Sequence, residues 1–353
     1  MSKIMKRKKK FYFILILIVI LGIAGFLFWK LGNRSVEIGN SGENNEKESE
    51  NNYGISPISG LQCENYNRRP IAVMMAEDPV TRPLSGISQA DMVIEMPVIT
   101  GSITRMMAVF QCESPDEIGS VRSARHDFIP LAMGLDAIFA HWGGSHFALD
   151  KLDNGIMNNI DAMHDFFNTY YRKSDKPMPH NGFTSMDKLI SAAEKFNYRL
   201  ENKFEGYPHK ENSKFEIRNS KLNGKLTIGY SGHYEVYYEY SPQTNAYLRW
   251  RAGEKEMDKN NNQQAEVSVV IAMRAASRMI EPPDYNDVDI EGEGEAIISQ
   301  NGEQIKGSWR KEGSYSNSKL YFLDNKGKEI EFTPGKIWLE IVEPTTEIKW
   351  EVF

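Results

Sequence analysis

Hydrophobic positions along the chain fall into three regimes. In the first, Phe11 to Trp29 (FYFILILIVILGIAGFLFW) runs 19 residues without a charge. Such a run makes about 28 Å of helix, close to the ~30 Å hydrocarbon core of a bilayer. Tyr12 and Trp29 sit near its two ends, where amphipathic rings favour the membrane interface, and the cations Lys6–Lys10 precede it. The pattern predicts a single transmembrane helix at 11–30, with the basic tail 1–10 in the cytoplasm and the body outside. A cleaved signal peptide would carry a shorter apolar stretch and a small-residue cleavage site. A lipoprotein signal would need a cysteine just after the run, and the first cysteine is Cys63. Residues 31–62 are dominated by Glu, Asn, Ser and Gly without a helical period, which reads as a disordered tether.

The second regime covers 63–205. PIAVMMA (Pro70–Ala76), DMVIEM (Asp91–Met96), ITRMMAVFQ (Ile103–Gln111) and AIFAH (Ala137–His141) are short apolar runs that predict strands. Helices are predicted over Arg122–Leu135, from SHFALDKL, and over Ser185–Phe196, where Thr184 and Asp187 have capping-box spacing. Strands mixed with helices make this an α/β (α+β) domain with a mixed sheet. After a connector at 206–225 comes the third regime, 226–353. HYEVYYEY (His233–Tyr240) and YLRWR (Tyr247–Arg251) alternate, hairpin signals occur at Asn301-Gly302 and Asn325-Lys326-Gly327, and KIWLEIV (Lys336–Val342) is a last strand. This domain is β-rich and mostly antiparallel.

Composition narrows the class. Of the 353 residues, 41% are hydrophobic and 25% charged, so the body is globular. The net charge of −6 hides an asymmetry: residues 1–34 carry eight cations and no acid, leaving 34 cations against 48 acids, or −14, in the remainder. An acidic body argues against nucleic acid as a partner. Two cysteines exclude a disulfide scaffold or a Cys-rich metal protein. Cys63 and Cys112 lie outside the membrane on this reading and are free to pair. No cofactor motif is present.

The stretches ITRMMAVFQ, IGSVRSARHDFIPLAMGLDAIFAHWGGS and PHNGFTS, with YSPQTNAYLRW and FTPGKIWLEIV further on, resemble the YerB-like lipoprotein family, bacterial envelope proteins built from two consecutive domains of unknown function. The resemblance covers roughly 68–345. It implies a fold and an envelope location, and it implies no reaction. Where the family tends to have Gly-x-x-His-x-Asp, this chain has Gly253 to Asp258 with Glu256 in the histidine's place. The family's lipid anchor is replaced by the apolar span.

Candidate chemistry gathers in the first domain. Arg122 and Arg125 flank Ser123 where a helix is predicted to begin, so both guanidiniums would share a helical face near free N–H groups. Arginine binds carboxylate or phosphate through paired donors. Both could instead pair with Asp91 or Glu95. Arg105 interrupts an apolar strand, either as an ion-pair partner or as a third cation. In His141-Trp142-Gly143-Gly144-Ser145 the glycines allow close approach or an anion-binding nest, and Ser145 suits a helix N-cap. His180 and Asn181 follow two prolines in a loop. The leading expectation is an extracytoplasmic binding or accessory protein. Its anion pocket is built from Arg105, Arg122, Ser123, Arg125, His141, Gly143, Gly144, Ser145, His180 and Asn181. Envelope glycan or an envelope protein is the expected partner. The rival is an envelope hydrolase or transferase using Ser145 or Ser123 with His141 or His180. His141, His146, His164 and His180 lack metal-ligand spacing, so no metal is expected.

Overall fold

The computed structural model describes residues 53–211, 223–313 and 317–353. The expected membrane span and most of the tether lie outside them. Among the described residues, no helix is long and apolar enough to cross a membrane.

The architecture is mostly sheet, with few helices. Ten strands form one mixed sheet in the order Tyr321–Leu323, Glu303–Lys311, Gly292–Gln300, Val269–Arg274, Ile337–Val342, Met92–Pro97, Thr104–Phe110, Ile71–Met75, Ile138–His141 and Asn159–Asp161. Five come from before residue 206 and five from after 225. The seam is the parallel pair Ile337–Val342 with Met92–Pro97, which sets Glu340 directly beside Glu95. The central strands are mostly apolar, as in IAVMM, because both faces are covered, with Glu95, Arg105 and Glu340 as charged exceptions. Met74, Ile94, Met107 and Phe139 pack on one face beneath the helices Phe128–Gly134 and His146–Asp153. Val73, Val93, Met106 and Trp338 pack on the other, against the helix Met186–Lys195 and a six-stranded antiparallel sheet carrying Leu226, Val236, Tyr238 and Tyr247.

Several local expectations hold. Gly292–Gln300 and Glu303–Lys311 pair across Asn301-Gly302, where both turn residues have positive φ (55° and 72°). The helix at Met186–Lys195 is capped by Ser185, whose side chain accepts from the Lys188 N–H, one residue later than the expected Thr184. Two expectations fail. The tether predicted over 31–62 ends sooner, because Gly54–Ile55 pairs with Gln62–Cys63 and Ile58 is buried in the core. The helix predicted over Arg122–Leu135 spans only Phe128–Gly134. Its first residues are drawn into other pairings: Arg122 N–H donates to Met74 O, Ala124 N–H to Gly143 O, and Arg122 O accepts from Trp142 N–H. Cys63 and Cys112 are disulfide-bonded, with Cα atoms 5.7 Å apart.

Candidate functional site

The parallel strands Ile71–Met75 and Ile138–His141 end on the same side of the large sheet, and the segment Ile118–Arg125 crosses those ends. Val121 bridges Met75, and Ala124 runs beside Gly144. A Cβ on Gly144 would sit 3.2 Å from the Ala124 Cβ, so glycine allows the two segments to meet. The Ser120 hydroxyl donates to His180 O at 2.8 Å and brings in the loop after Pro177. Arg122 and Arg125 therefore reach the Gly-Gly turn on extended backbone, without a shared helical face.

Arg105, Arg122 and Arg125 converge. Arg105 is 5% exposed and donates to Ser123 O at 2.8 Å. Burial, then the like charges of Arg125 and Arg122, hold its pKa well below the ordinary value. Burial also lowers Arg122 and Arg125, and Arg122 adds repulsion on Arg125. The Nε atoms of Arg122 and Arg125 are buried without a hydrogen-bond partner. Arg125 stacks its guanidinium over Tyr285, 5.4 Å from the ring centre. The nearby acids are Asp78, which lies 3.5 Å from His180 Nδ1, and, on the Arg125 side, Asp127 and Asp284. Burial lowers His180, with Asp78 opposing it, so the ring is neutral near pH 7. Neither Asp91 nor Glu95 pairs with these arginines. Asp91 accepts from the Gln111 and Cys112 N–H groups, and Glu95 is held by Arg249 and Arg251.

Other expected site residues serve the frame. His141 is fully buried, with Nδ1 2.9 Å from Gly143 O and Nε2 3.2 Å from Asn159 Oδ1. Gly143 has φ 61°, and its N–H donates to Asp161 at 2.7 Å, away from any anion nest. Ser145 Oγ caps the following helix by accepting from Ala148 N–H. Asn181 accepts from Arg172 and donates to Lys173 O. Among the described residues no serine hydroxyl bonds a histidine ring, so the hydrolase constellation is not assembled. A cavity of about 530 Å³ lies elsewhere, lined by residues including Arg69, Asp136 and Asn158. Its Arg69 already donates to Asp136 O and Asn158 Oδ1 at 2.7 Å, so the cavity offers an anion less than the arginine cluster does.

Two groups escaped the sequence. Between the sheets, Arg249 and Arg251 are buried with Glu77, Glu95, Glu256 and Glu340. Glu256, standing where the family pattern has histidine, takes Arg249 Nη1 at 2.6 Å and Arg251 Nε at 2.9 Å. Asp258, at the pattern's last position, accepts from the Gly86 and Ser88 N–H groups. The second group is His126, Asp127 and Asp287. Burial, with Asp287 adding to it, pushes the Asp127 carboxyl up to about 8. The lone local signal for either group was an Arg-x-Arg inside an alternating strand.

Family models described as the N-terminal and C-terminal domains of a protein of unknown function, DUF3048, match residues 58–199 and 226–339. "Putative lipoprotein YerB" of Bacillus subtilis (strain 168) is 32% identical over 292 residues, covering 81% of this chain and 86% of the relative. The chain belongs to the YerB-like family. The crystal structure of YerB protein from Bacillus subtilis superimposes with a TM-score of 0.73 at 30% identity, covering 84% of this chain and 99% of that one. The YerB-like motif Val121–Arg125 is the segment that carries Arg122 and Arg125 across the strand ends.

Proposed function

We propose that this YerB-like chain is a binding or accessory protein of the bacterial cell envelope. The apolar span 11–30 anchors it, and its body holds an anionic group outside the membrane. The observation that carries the reading is the cluster of Arg105, Arg122 and Arg125. It comprises three cations, with no carboxylate in salt-bridge contact among the described residues and two buried Nε donors unused. Uncompensated buried charge is costly, and a ligand that brings negative charge repays that cost. Phosphate or carboxylate fits, since each accepts from guanidinium through paired oxygens. The Cys63–Cys112 bond favours an oxidising compartment, in keeping with the basic prefix before the span and with the lipoprotein relative.

Calorimetric titration of the full chain in detergent tests the pocket, with inorganic phosphate and a muramyl dipeptide carboxylate as probes. Arg125→Met keeps the stem's packing and removes the charge. At least one probe should bind, and the variant should weaken it by about 1.5–3 kcal/mol, the scale of a charge-assisted hydrogen bond. Equal binding by the variant, or no binding of either probe, would overturn the pocket.

A further inference from the structure

The residue after Arg125 opens a separate constellation. His126 Nε2 lies 3.3 Å from Asp127 Oδ1 and 3.2 Å from Asp287 Oδ1. All three atoms fall within 4.8 Å of one another. His126 and Asp127 are 7% and 5% exposed. A neutral imidazole nitrogen has at most one hydrogen to give, yet two carboxylate oxygens converge on this one. The ring's other nitrogen, Nδ1, is buried with no protein partner, so the two carboxylates are the ring's polar surroundings. The two separations from His126 are those of neighbouring ligands on one cation. Bonds of 2.0–2.2 Å place adjacent tetrahedral or octahedral ligands roughly 3.0–3.5 Å apart.

We propose that His126, Asp127 and Asp287 bind a divalent cation of the zinc or manganese kind. An imidazole with two carboxylates suits those ions better than magnesium or calcium, which prefer all-oxygen shells. Asp287 is pre-set for the role. Arg278 engages its Oδ2, and Oδ1 remains directed at the imidazole. Val288 N–H donates to Asp127 Oδ1 at 3.3 Å, so the strand that carries Asp287 is already docked on the carboxylate. That strand belongs to a hairpin, Ser277–Glu281 with Tyr285–Val288, which also places Tyr285 under the Arg125 guanidinium. A cation here would clamp the hairpin onto the motif segment beside the arginines. Three protein ligands also leave a coordination position for water or an anion.

The test uses the full chain, without a histidine tag, in detergent. The protein is stripped with chelator and dialysed against excess zinc chloride, manganese chloride or magnesium chloride, and retained metal is counted. Wild type should keep one equivalent of zinc or manganese and no magnesium. His126→Gln and Asp287→Asn should each lower the affinity on the order of tenfold or more, since even partners outside the ligand shell have effects of that size. If circular dichroism shows His126→Gln unfolded, Asp287→Asn decides, because that side chain is partly exposed in a hairpin. Failure of wild type to retain either metal, or wild-type retention by Asp287→Asn, would overturn the site. Neither result bears on phosphate binding by Arg125.

Discussion

Two groups of arginines sit at nearly equal depth and differ in what surrounds them. Arg249 and Arg251, 0% and 2% exposed, face four glutamates and the Tyr238 hydroxyl. Arg105, 5% exposed, with Arg122 and Arg125, faces other arginines and backbone carbonyls, with Asp78, Asp127 and Asp284 nearby but none in salt-bridge contact with them among the described residues. The first group has an excess of acid, which the protein relieves by holding protons. Burial, opposed by Arg251, pushes Glu77 well up, and burial with the neighbouring Glu95 pushes Glu340 up to about 7. The second group has an excess of base, and arginine cannot shed its proton at any ordinary pH. None of the acids around it makes a salt bridge with these three arginines among the described residues. Burial alone therefore says little about an arginine's role, whereas the balance of charge around it separates a structural member from a recognition residue.

The comparison breaks most visibly on folding stability. Arg249→Met would remove the arginine partner of Glu340 and leave Glu95 and Glu256 to Arg251 alone in the space between the two sheets. Losing one partner of a buried ion pair costs roughly 3–5 kcal/mol, so thermal or urea unfolding of this variant should show a collapse. Arg125→Met strands no carboxylate and should melt close to wild type. If the two variants lost equal stability, the division between the groups would be wrong.

A smaller effect follows from the protons. Glu340 has a folded pKa of about 7 against an ordinary value of 4.5. Between those values the folded chain binds more protons than the unfolded chain, so its contribution to stability is full below about pH 4.5 and is lost as pH rises through 7. Glu77 acts in the same direction, while the arginines lower Glu256, which outweighs its burial and gives the opposite sign. Glu340→Gln mimics the protonated acid. It should flatten the fall in stability between about pH 5 and 8 by on the order of 1–3 kcal/mol. An unchanged slope in melting temperature against pH would mean that Glu340 is ionised in the fold.

How much of this was legible depends on range. Ile71–Met75 and Met106–Phe110 are readable because a stretch of strand buried on both faces is apolar along its length. Asn301-Gly302 is readable because few residues tolerate positive φ. The arginines of Val121–Arg125 were legible as chemistry but not as geometry. The helical spacing of Phe128, Leu131 and Ala132 does not reach back to Arg122, because hydrogen bonds to Met74, Trp142 and Gly143 draw residues 122–124 into other pairings. Long-range pairing left no local trace. Nothing near Glu95 announces that Ile337–Val342 lies parallel beside it, and nothing near His126 announces Asp287. Both depend on how the later strands add to the earlier sheet.

The smallest expected effect concerns Ser145, which separates a binding frame from an enzyme. Its hydroxyl accepts from Ala148 N–H at 3.2 Å and the residue is 1% exposed. The nearby His141 spends both ring nitrogens on Gly143 O and Asn159, so it is no base for this serine. Ser145→Ala should therefore cost only the cap, about 1 kcal/mol of stability, and leave the affinity for the anionic probe at the wild-type value. Arg125→Met has the reverse signature, with affinity lost and stability kept. A hydrolase would keep binding too when its nucleophile is lost, so turnover is the measurement that separates the two readings. Release of product from an esterase or glycosidase substrate by wild type, absent from Ser145→Ala, would transfer the functional role from the arginines to the serine turn.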